Sequence, residues 1–394
     1  MATRRLISRF EIEMESGVKF RDLNAQYNHI KDKIDSAIMD TINSGTFIGG
    51  SPASELEQKL AEYVGVKHCV SCANGTDALQ LALMAWDIGP GDAVFVPDFT
   101  FFSSAEVVPC VGATPVFVDV RKDTFNMDPD SLEKEIKRIS SEGKLRPKVI
   151  VAVDLFGQPA EHDRIRKIAD EYDMYVLEDA AQGFGGSING RLACSFGDIS
   201  TTSFFPAKPL GCYGDGGAVF TDNDEWANLI RSFKVHGKGS DKYDNIRIGM
   251  NSRLDTIQAA ILLAKFDNFK DMEIDSCNRV AEKYTELLNG CVITPTILDG
   301  MASSWAQYSI LLKDTEERTR VENALKEKGI PTAVYYIKPL HMQTAFKDST
   351  QYGSEDICPD TVDICKRVLS LPMHPYLSDE EIRMITGIIK ETCK

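Results

Sequence analysis

Residues 200–217 read Ser200-Thr-Thr-Ser-Phe-Phe-Pro-Ala-Lys208-Pro-Leu-Gly-Cys-Tyr-Gly-Asp-Gly-Gly217. The β-branched and aromatic residues at the start predict a strand that stops at Pro206, and the glycines at the end predict a loop whose backbone a ligand can approach closely. Between the two, Lys208 sits on a turn stiffened by Pro206 and Pro209. A primary amine fixed at the mouth of a sheet and partly desolvated is suited to attack an aldehyde, because burial lowers its pKa toward the neutral, nucleophilic form. The plain alternative is a solvated surface lysine, the usual fate of that residue type.

Upstream of this stretch the chain alternates strand and helix patterns. Apolar runs at 69–72, 93–97, 114–119, 149–153 and 174–179 are separated by helical patterns at 77–86, 103–111, from 128 onward, and at 162–172. Downstream, 217–221 predicts one more strand, 225–235 a helix and 257–269 a strongly apolar helix. Near-continuous apolar strands alternating with helices predict an α/β fold with a mainly parallel sheet covered on both faces, and the ligands of such sheets lie beyond the strand carboxyl ends. Before the first strand, Leu23, Tyr27, Ile30, Ile34, Ile38 and Ile42 recur at steps of three and four, predicting one amphipathic helix closed by Gly45. A second helix opens at Pro52 with the capping box Ser54-x-x-Glu57 and stops at Gly65. Beyond residue 269 strand patterns return only weakly, at 308–312 and 332–336. We therefore expect residues 18–264 to form a large ligand-binding domain and residues 265–394 a smaller α/β domain, with the N-terminal helix packed toward the latter. Residues 1–17 are expected to be a flexible extension, within which Met14 is a second candidate start.

The composition narrows the function classes. A chain of 394 residues with 43% apolar and 26% charged residues can bury a substantial core. Its net charge of -15, from 44 basic and 59 acidic residues, disfavours nucleic acid and anionic membranes as partners while leaving room for a local basic pocket. No apolar run approaches membrane-spanning length, and residues 1–17 lack the apolar core of a secretory signal. The expected location is the cytoplasm, with the ten cysteines as reduced thiols. Cys69-Val-Ser-Cys72 lacks the second pair that a zinc site needs. Gly183-Phe-Gly-Gly186 lacks the spacing of a dinucleotide fingerprint.

Three further features fall at predicted strand ends. Asn74-Gly-Thr-Asp-Ala78 opens a helix and offers free amides and a hydroxyl to a phosphate, although an ordinary helix cap uses the same residue types. Asp179 ends a buried strand, where a carboxylate needs a cation such as a protonated pyridine nitrogen. Phe101 supplies a flat face for stacking on a ring, or a core side chain. An amine for an aldehyde, a carboxylate for a ring nitrogen, an amide nest for a phosphate and an aromatic face together describe a site for pyridoxal 5'-phosphate (PLP), with no metal.

In Asn74-Gly-Thr-Asp-Ala-Leu79, Glu178-Asp-Ala-Ala-Gln182, Ser203-Phe-Phe-Pro-Ala-Lys208 with Gly214-Asp-Gly-Gly217, and Asn251-Ser-Arg-Leu-Asp255, the sequence resembles the DegT/StrS sugar aminotransferases over roughly residues 18–390. The resemblance implies the fold of the fold-type I PLP enzymes, with a mainly parallel seven-stranded sheet between helices and a smaller C-terminal domain. It implies that Lys208 forms the Schiff base, Asp179 holds the pyridinium and Gln182 bonds the ring hydroxyl, while Gly75, Thr76 and Ser203 bind the phosphate. It further implies a homodimer with shared sites, in which Asn251 reaches the partner's cofactor phosphate. The substrates it implies are a nucleotide-linked keto sugar and an amino-acid donor, glutamate, with products that feed surface polysaccharides. Pro206-Ala-Lys-Pro-Leu-Gly-Cys-Tyr-Gly and Leu371-Pro-Met-His-Pro-Tyr-Leu377 are most similar to members acting on UDP-linked 2-acetamido-2-deoxy-3-oxo-glucuronate. The chain departs from them at Tyr335-Tyr336-Ile337, where they have His-Tyr-Pro. The related sugar dehydratases carry histidine in place of the lysine, so Lys208 counts against that reading, while a regulatory homologue without turnover remains a third.

Asn251 and Arg253 lie two apart, so in an extended segment both side chains point to one side. Arg253 then faces the shared pocket and suits a sugar carboxylate, unless Asp255 takes it as an ion pair. Tyr335, Tyr336 and His341 are expected to line the sugar end.

Overall fold

The computed structural model describes residues 17–241, 243–349 and 351–393. The first predicted helix is broken in two, α1 (Leu23–His29) and α2 (Lys31–Ser44), because Ile30 leaves helical dihedrals at φ -124°, ψ 25°. Gly45 ends α2 in the left-handed conformation that its lack of a Cβ permits. Helix α3 (Ser51–Val64) starts one turn before the predicted capping box, with Gly50 as its cap. Glu57 instead accepts hydrogen bonds from the Ser71 amide and hydroxyl, both at 2.8 Å, so a tertiary partner overrides the local motif.

The alternation then follows. Strand β1 (His68–Cys72), α4 (Gly75–Ala85), β2 (Asp92–Pro97), α5 (Ser103–Cys110), β3 (Thr114–Val118), α6 (Pro129–Glu142), β4 (Arg146–Val153), α7 (His162–Glu171) and β5 (Tyr175–Asp179) succeed one another. The short strands β6 (Ser187–Ile188) and β7 (Arg191–Leu192) precede β8 (Ile199–Ser203), β9 (Gly217–Thr221), α8 (Asp224–Phe233) and α9 (Thr256–Asn268). Seven strands form one sheet in the order β1-β9-β8-β5-β4-β2-β3, parallel except that β9 runs antiparallel to both of its neighbours. The fully buried strands β2 and β9 show why their sequences are apolar without alternation, since helices cover both faces. The strand expected to reach Pro206 ends at Ser203, because its partner β9 begins at Gly217 directly opposite and Pro206 has no amide to continue a ladder.

A π-helical turn (Phe269–Glu273) carries α9 into α10 (Ile274–Leu288), which the sequence reading missed. Strand β10 (Met301–Ala302) pairs with β6, while β11 (Tyr308–Leu311), α11 (Thr315–Glu327), α12 (Pro359–Arg367), β12 (Val368–Leu371) and α13 (Asp379–Thr392) complete the described chain. Residues 332–336 form no strand; only Ala333 bridges, to Ser370, and the partner of β11 is β12 instead. The C-terminal part has a core of its own, built on Tyr284, Tyr308, Leu325 and Ile385 and joined by Val18 from the N-terminal segment. Leu340, Phe346, Cys358 and Val368 nevertheless pack into the core of the main sheet. The expected boundary at residue 265 falls inside α9, at a buried lysine. Gln26 of α1 donates to Glu273 at 2.8 Å and α2 packs along α9. Among the described residues no helix is long and apolar enough to cross a membrane. The expected extension 1–17 lies outside the described residues except for Gly17.

Candidate active site

The carboxyl ends of β5 and β8 carry the two charged groups singled out in the sequence. Strand alternation sends adjacent carboxylates to opposite faces. Glu178 turns away, where the amides of Cys194 (2.6 Å), Phe196 (2.7 Å) and Gly197 (3.2 Å) and the hydroxyl of Ser200 (2.7 Å) donate to it. Burial and the neighbouring Asp154 push its pKa up to about 7. Asp179 faces the site. The Ser104 hydroxyl donates to one of its oxygens at 2.8 Å and the Ala181 amide to the other at 3.2 Å. It is 5% exposed, and desolvation raises its pKa against the pull of those two donors and of Lys208.

Lys208, partly buried on the turn after β8, has its pKa lowered to about 8 by burial, reinforced by the charge of Arg21 and opposed by Asp179. An amine lowered this far keeps a neutral fraction of roughly one fifth near physiological pH, against about a thousandth for an ordinary lysine, and that fraction can attack a carbonyl carbon. The Arg21 guanidinium also donates to the Lys208 carbonyl at 3.1 Å, which nothing in the local sequence announced.

Beside this pair lies a cradle of backbone. Asn74 caps α4 by accepting from the Asp77 amide at 2.8 Å, which leaves the Gly75 and Thr76 amides at the first turn without intrahelical acceptors. A Cβ on Gly75 would stand 2.8 Å from the Ser203 Cβ, and one on Gly217 would stand 2.5 Å from the backbone of Asn74. The two glycines therefore let β8, β9 and the start of α4 converge. The Thr76 and Ser103 hydroxyls meet at 2.7 Å on the same side. Amides at a helix N-terminus, flanked by hydroxyls, match a phosphate monoester in charge and donor geometry. With Asp179 for a ring nitrogen and Lys208 for an aldehyde, the residues present fit PLP.

Gln182, 5% exposed, accepts from the Phe156 amide at 2.7 Å and donates to the Tyr336 hydroxyl at 3.2 Å. Its amide is thus held from both sides next to Asp179. Phe101 is 54% exposed, with its ring centroid 6.4 Å from that of Tyr336, so a face remains open for stacking. Tyr335 packs edge-on against Phe20 at 6.1 Å and lies 5.7 Å from Tyr336.

His341 is not at the sugar end. It is fully buried, with its ring 2.6 Å from an Asp98 carboxylate oxygen and its other nitrogen 3.1 Å from the Ser354 carbonyl. It thereby ties the segment after Tyr336 to the end of β2. Asn251 is exposed and Arg253 partly buried, while Ser252 and Leu254 between and beyond them are buried, as an extended segment requires. Among the described residues Arg253 forms no ion pair with Asp255 or with any other acid. Sequence reasoning missed Ser104 and Arg21; the paired serines 103 and 104 after Phe101 were the only signal for the first.

The chain is similar to known proteins over most of its length. The model of the DegT/DnrJ/EryC1/StrS aminotransferase family matches residues 28–390. A UDP-2-acetamido-2-deoxy-3-oxo-D-glucuronate aminotransferase from Pseudomonas aeruginosa is 45% identical over 94% of this chain and 99% of its own. A UDP-N-acetyl-3-dehydro-alpha-D-glucosamine 3-aminotransferase from Acidithiobacillus ferrooxidans is 40% identical over 94% and 96%. The crystal structure of a DegT DnrJ EryC1 StrS aminotransferase from Brucella abortus, 48% identical, superposes with a TM-score of 0.91 over 95% of this chain and 98% of its own.

Proposed function

Because the chain belongs to the DegT/DnrJ/EryC1/StrS aminotransferase family, we propose that it moves an amino group from glutamate to the 3-keto group of a UDP-linked 2-acetamido-2-deoxy-hexuronate. It is a PLP-dependent aminotransferase with the α/β fold of the fold-type I enzymes. The observation that carries the reading is the convergence of Lys208, Asp179 and the Gly75–Ser203–Gly217 cradle at the ends of adjacent strands.

When bound, PLP supplies an electron sink for the carbanion formed at the donor's Cα. Lys208 would anchor the cofactor, and its amine, once released, would take the proton from the donor's Cα in the first half-reaction and hand a proton to the sugar carbon that receives the amino group in the second. Asp179 keeps the ring nitrogen protonated, and Ser104 and the Ala181 amide hold that carboxylate in place. The Gly75 and Thr76 amides and Ser203 hold the phosphate, Gln182 orients the ring hydroxyl and Phe101 covers a ring face.

The uronate is supported by Arg253, a guanidinium without an acidic partner among the described residues, two residues from Asn251. In the dimer we infer, Asn251 contacts the partner's cofactor phosphate and Arg253 the sugar carboxylate, with Tyr335 and Tyr336 beside the sugar; the exposure of Asn251 supports this. Placement in the cytoplasm and a product destined for a surface polysaccharide such as an O-antigen complete the proposal. So does a division into a cofactor domain (18–264) and a smaller domain (265–394), supported by the separate C-terminal core. Mass spectrometry of products from 3-keto and 4-keto nucleotide sugars incubated with glutamate tests the assignment. Amination of the 3-keto uronate is expected to dominate, and preference for a 4-keto or 6-deoxy sugar would overturn it.

A further inference from the structure

Lys265 is a buried cation that the chemistry above does not use. It lies in α9, is 2% exposed, and ranks among the largest fully buried side chains of the protein. Its ammonium donates to the Gly211 carbonyl at 2.5 Å and stands 4.6 Å from the centre of the Tyr213 ring. Among the described residues it has no carboxylate within ion-pair distance. The acid that acts on it most strongly, Glu273, is already engaged by Gln26 (2.8 and 3.0 Å), Asn268 (2.9 Å) and Tyr376 (2.8 Å). A buried ammonium with one carbonyl and one aromatic face as partners is a net cost to folding, and an apolar side chain of equal volume would serve the core better. The gain must lie in what it holds.

It holds the lysine turn. Gly211 is where that turn doubles back, since a Cβ there would meet the Pro206 carbonyl oxygen at 2.4 Å. The turn is closed within itself by the Lys208 amide donating to the Phe205 carbonyl and the Cys212 amide to the Phe204 carbonyl, both at 2.8 Å. Three of its backbone groups are also held from outside. Gln258, two helical turns before Lys265 and on the same face of α9, accepts from the Tyr213 amide at 2.9 Å. Arg21 takes the Lys208 carbonyl at 3.1 Å. Backbone groups at residues 208, 211 and 213 are therefore each tied to a side chain of another element.

We propose that Lys265 is a positioning residue for Lys208: with Gln258 it pins the turn to α9, so that the Lys208 amine is delivered to the cofactor aldehyde in one orientation. The inference rests on the reading of Lys208 as the cofactor-bearing residue. A misplacement of about 1 Å costs up to roughly a hundredfold in such reactions, so loosening one tether should be readily measured.

The test uses full-length apoprotein and added PLP. Wild type is first reduced with borohydride and digested; a label on any residue other than Lys208 refutes the site reading itself, separately from this inference. Lys265→Met keeps length and volume while removing charge and donor, and Gln258→Ala cuts the second tether without touching the buried charge. For each we measure the melting temperature of the apoprotein and the rate at which the visible band of covalently bound PLP appears. Lys265→Met is expected to melt at or above the wild-type temperature yet capture PLP at least about tenfold more slowly, with Gln258→Ala slowed in the same direction. Capture by Lys265→Met at the wild-type rate overturns the proposal. Should Lys265→Met not fold, capture by Gln258→Ala decides alone: slowed capture supports the tether and a wild-type rate refutes it.

Discussion

Asp179→Asn isolates the charge that the site directs at the cofactor ring. Asparagine preserves shape and can still accept from the Ala181 amide, now 3.2 Å from one carboxylate oxygen, so the fold should survive. What disappears is a negative charge on a side chain only 5% exposed. Two opposite charges about 4 Å apart interact by roughly 4 kcal/mol at an effective dielectric constant of about 20. The carbonyl dipole of asparagine recovers part of this, leaving about 3 kcal/mol, or two orders of magnitude in rate at about 1.4 kcal/mol per tenfold. The assay is single-turnover conversion of PLP-loaded enzyme by glutamate, followed by the loss of the visible band. Ser104→Ala provides a graded control, because the 2.8 Å donor it removes orients the same carboxylate without carrying its charge. Its rate should fall between wild type and Asp179→Asn. A rate for Asp179→Asn within threefold of wild type would show that the carboxylate does not face the ring, and the electrostatic argument would fail with it.

The remaining predictions concern the amine, the cradle and the sugar. With the Lys208 pKa near 8 in the apoprotein, only the neutral fraction attacks, so covalent capture of PLP should rise about tenfold per pH unit below 8 and level off above it; a flat profile from pH 6 to 9 contradicts the lowered pKa. Gly217→Ala drives a methyl to 2.5 Å from the Asn74 backbone, so an overpacking cost of about 1–3 kcal/mol should displace the start of α4. PLP titration should show affinity weakened by at least about tenfold, and an unchanged affinity refutes the cradle. Arg253→Ala should lower kcat/KM by several kcal/mol on a 3-keto uronate and far less on its 6-deoxy counterpart; equal losses on both deny Arg253 the carboxylate.

The sequence alone determined the features that rest on local chemistry. Near-continuous apolar runs, and the β-branched and aromatic residues before Pro206, located every strand of the main sheet, and Gly45 and Gly65 marked helix ends because the left-handed cap conformation suits glycine best. Lys208, Asp179 and the Asn74-Gly-Thr start of α4 were legible for the same reason: each is a residue type that a strand or helix end places in a predictable way. Tertiary structure decided whatever depends on a distant partner. Glu57 left its predicted capping role for Ser71, fourteen residues ahead, and His341 left the sugar end for Asp98 in the core. Glu178 and Asp179, adjacent carboxylates of like chemistry, received opposite tasks only when the sheet put one among amides and the other before the lysine. Ser104, Arg21 and Lys265 reach the site from separate elements, across separations that no local pattern spans, because chain topology and side-chain packing bring them together.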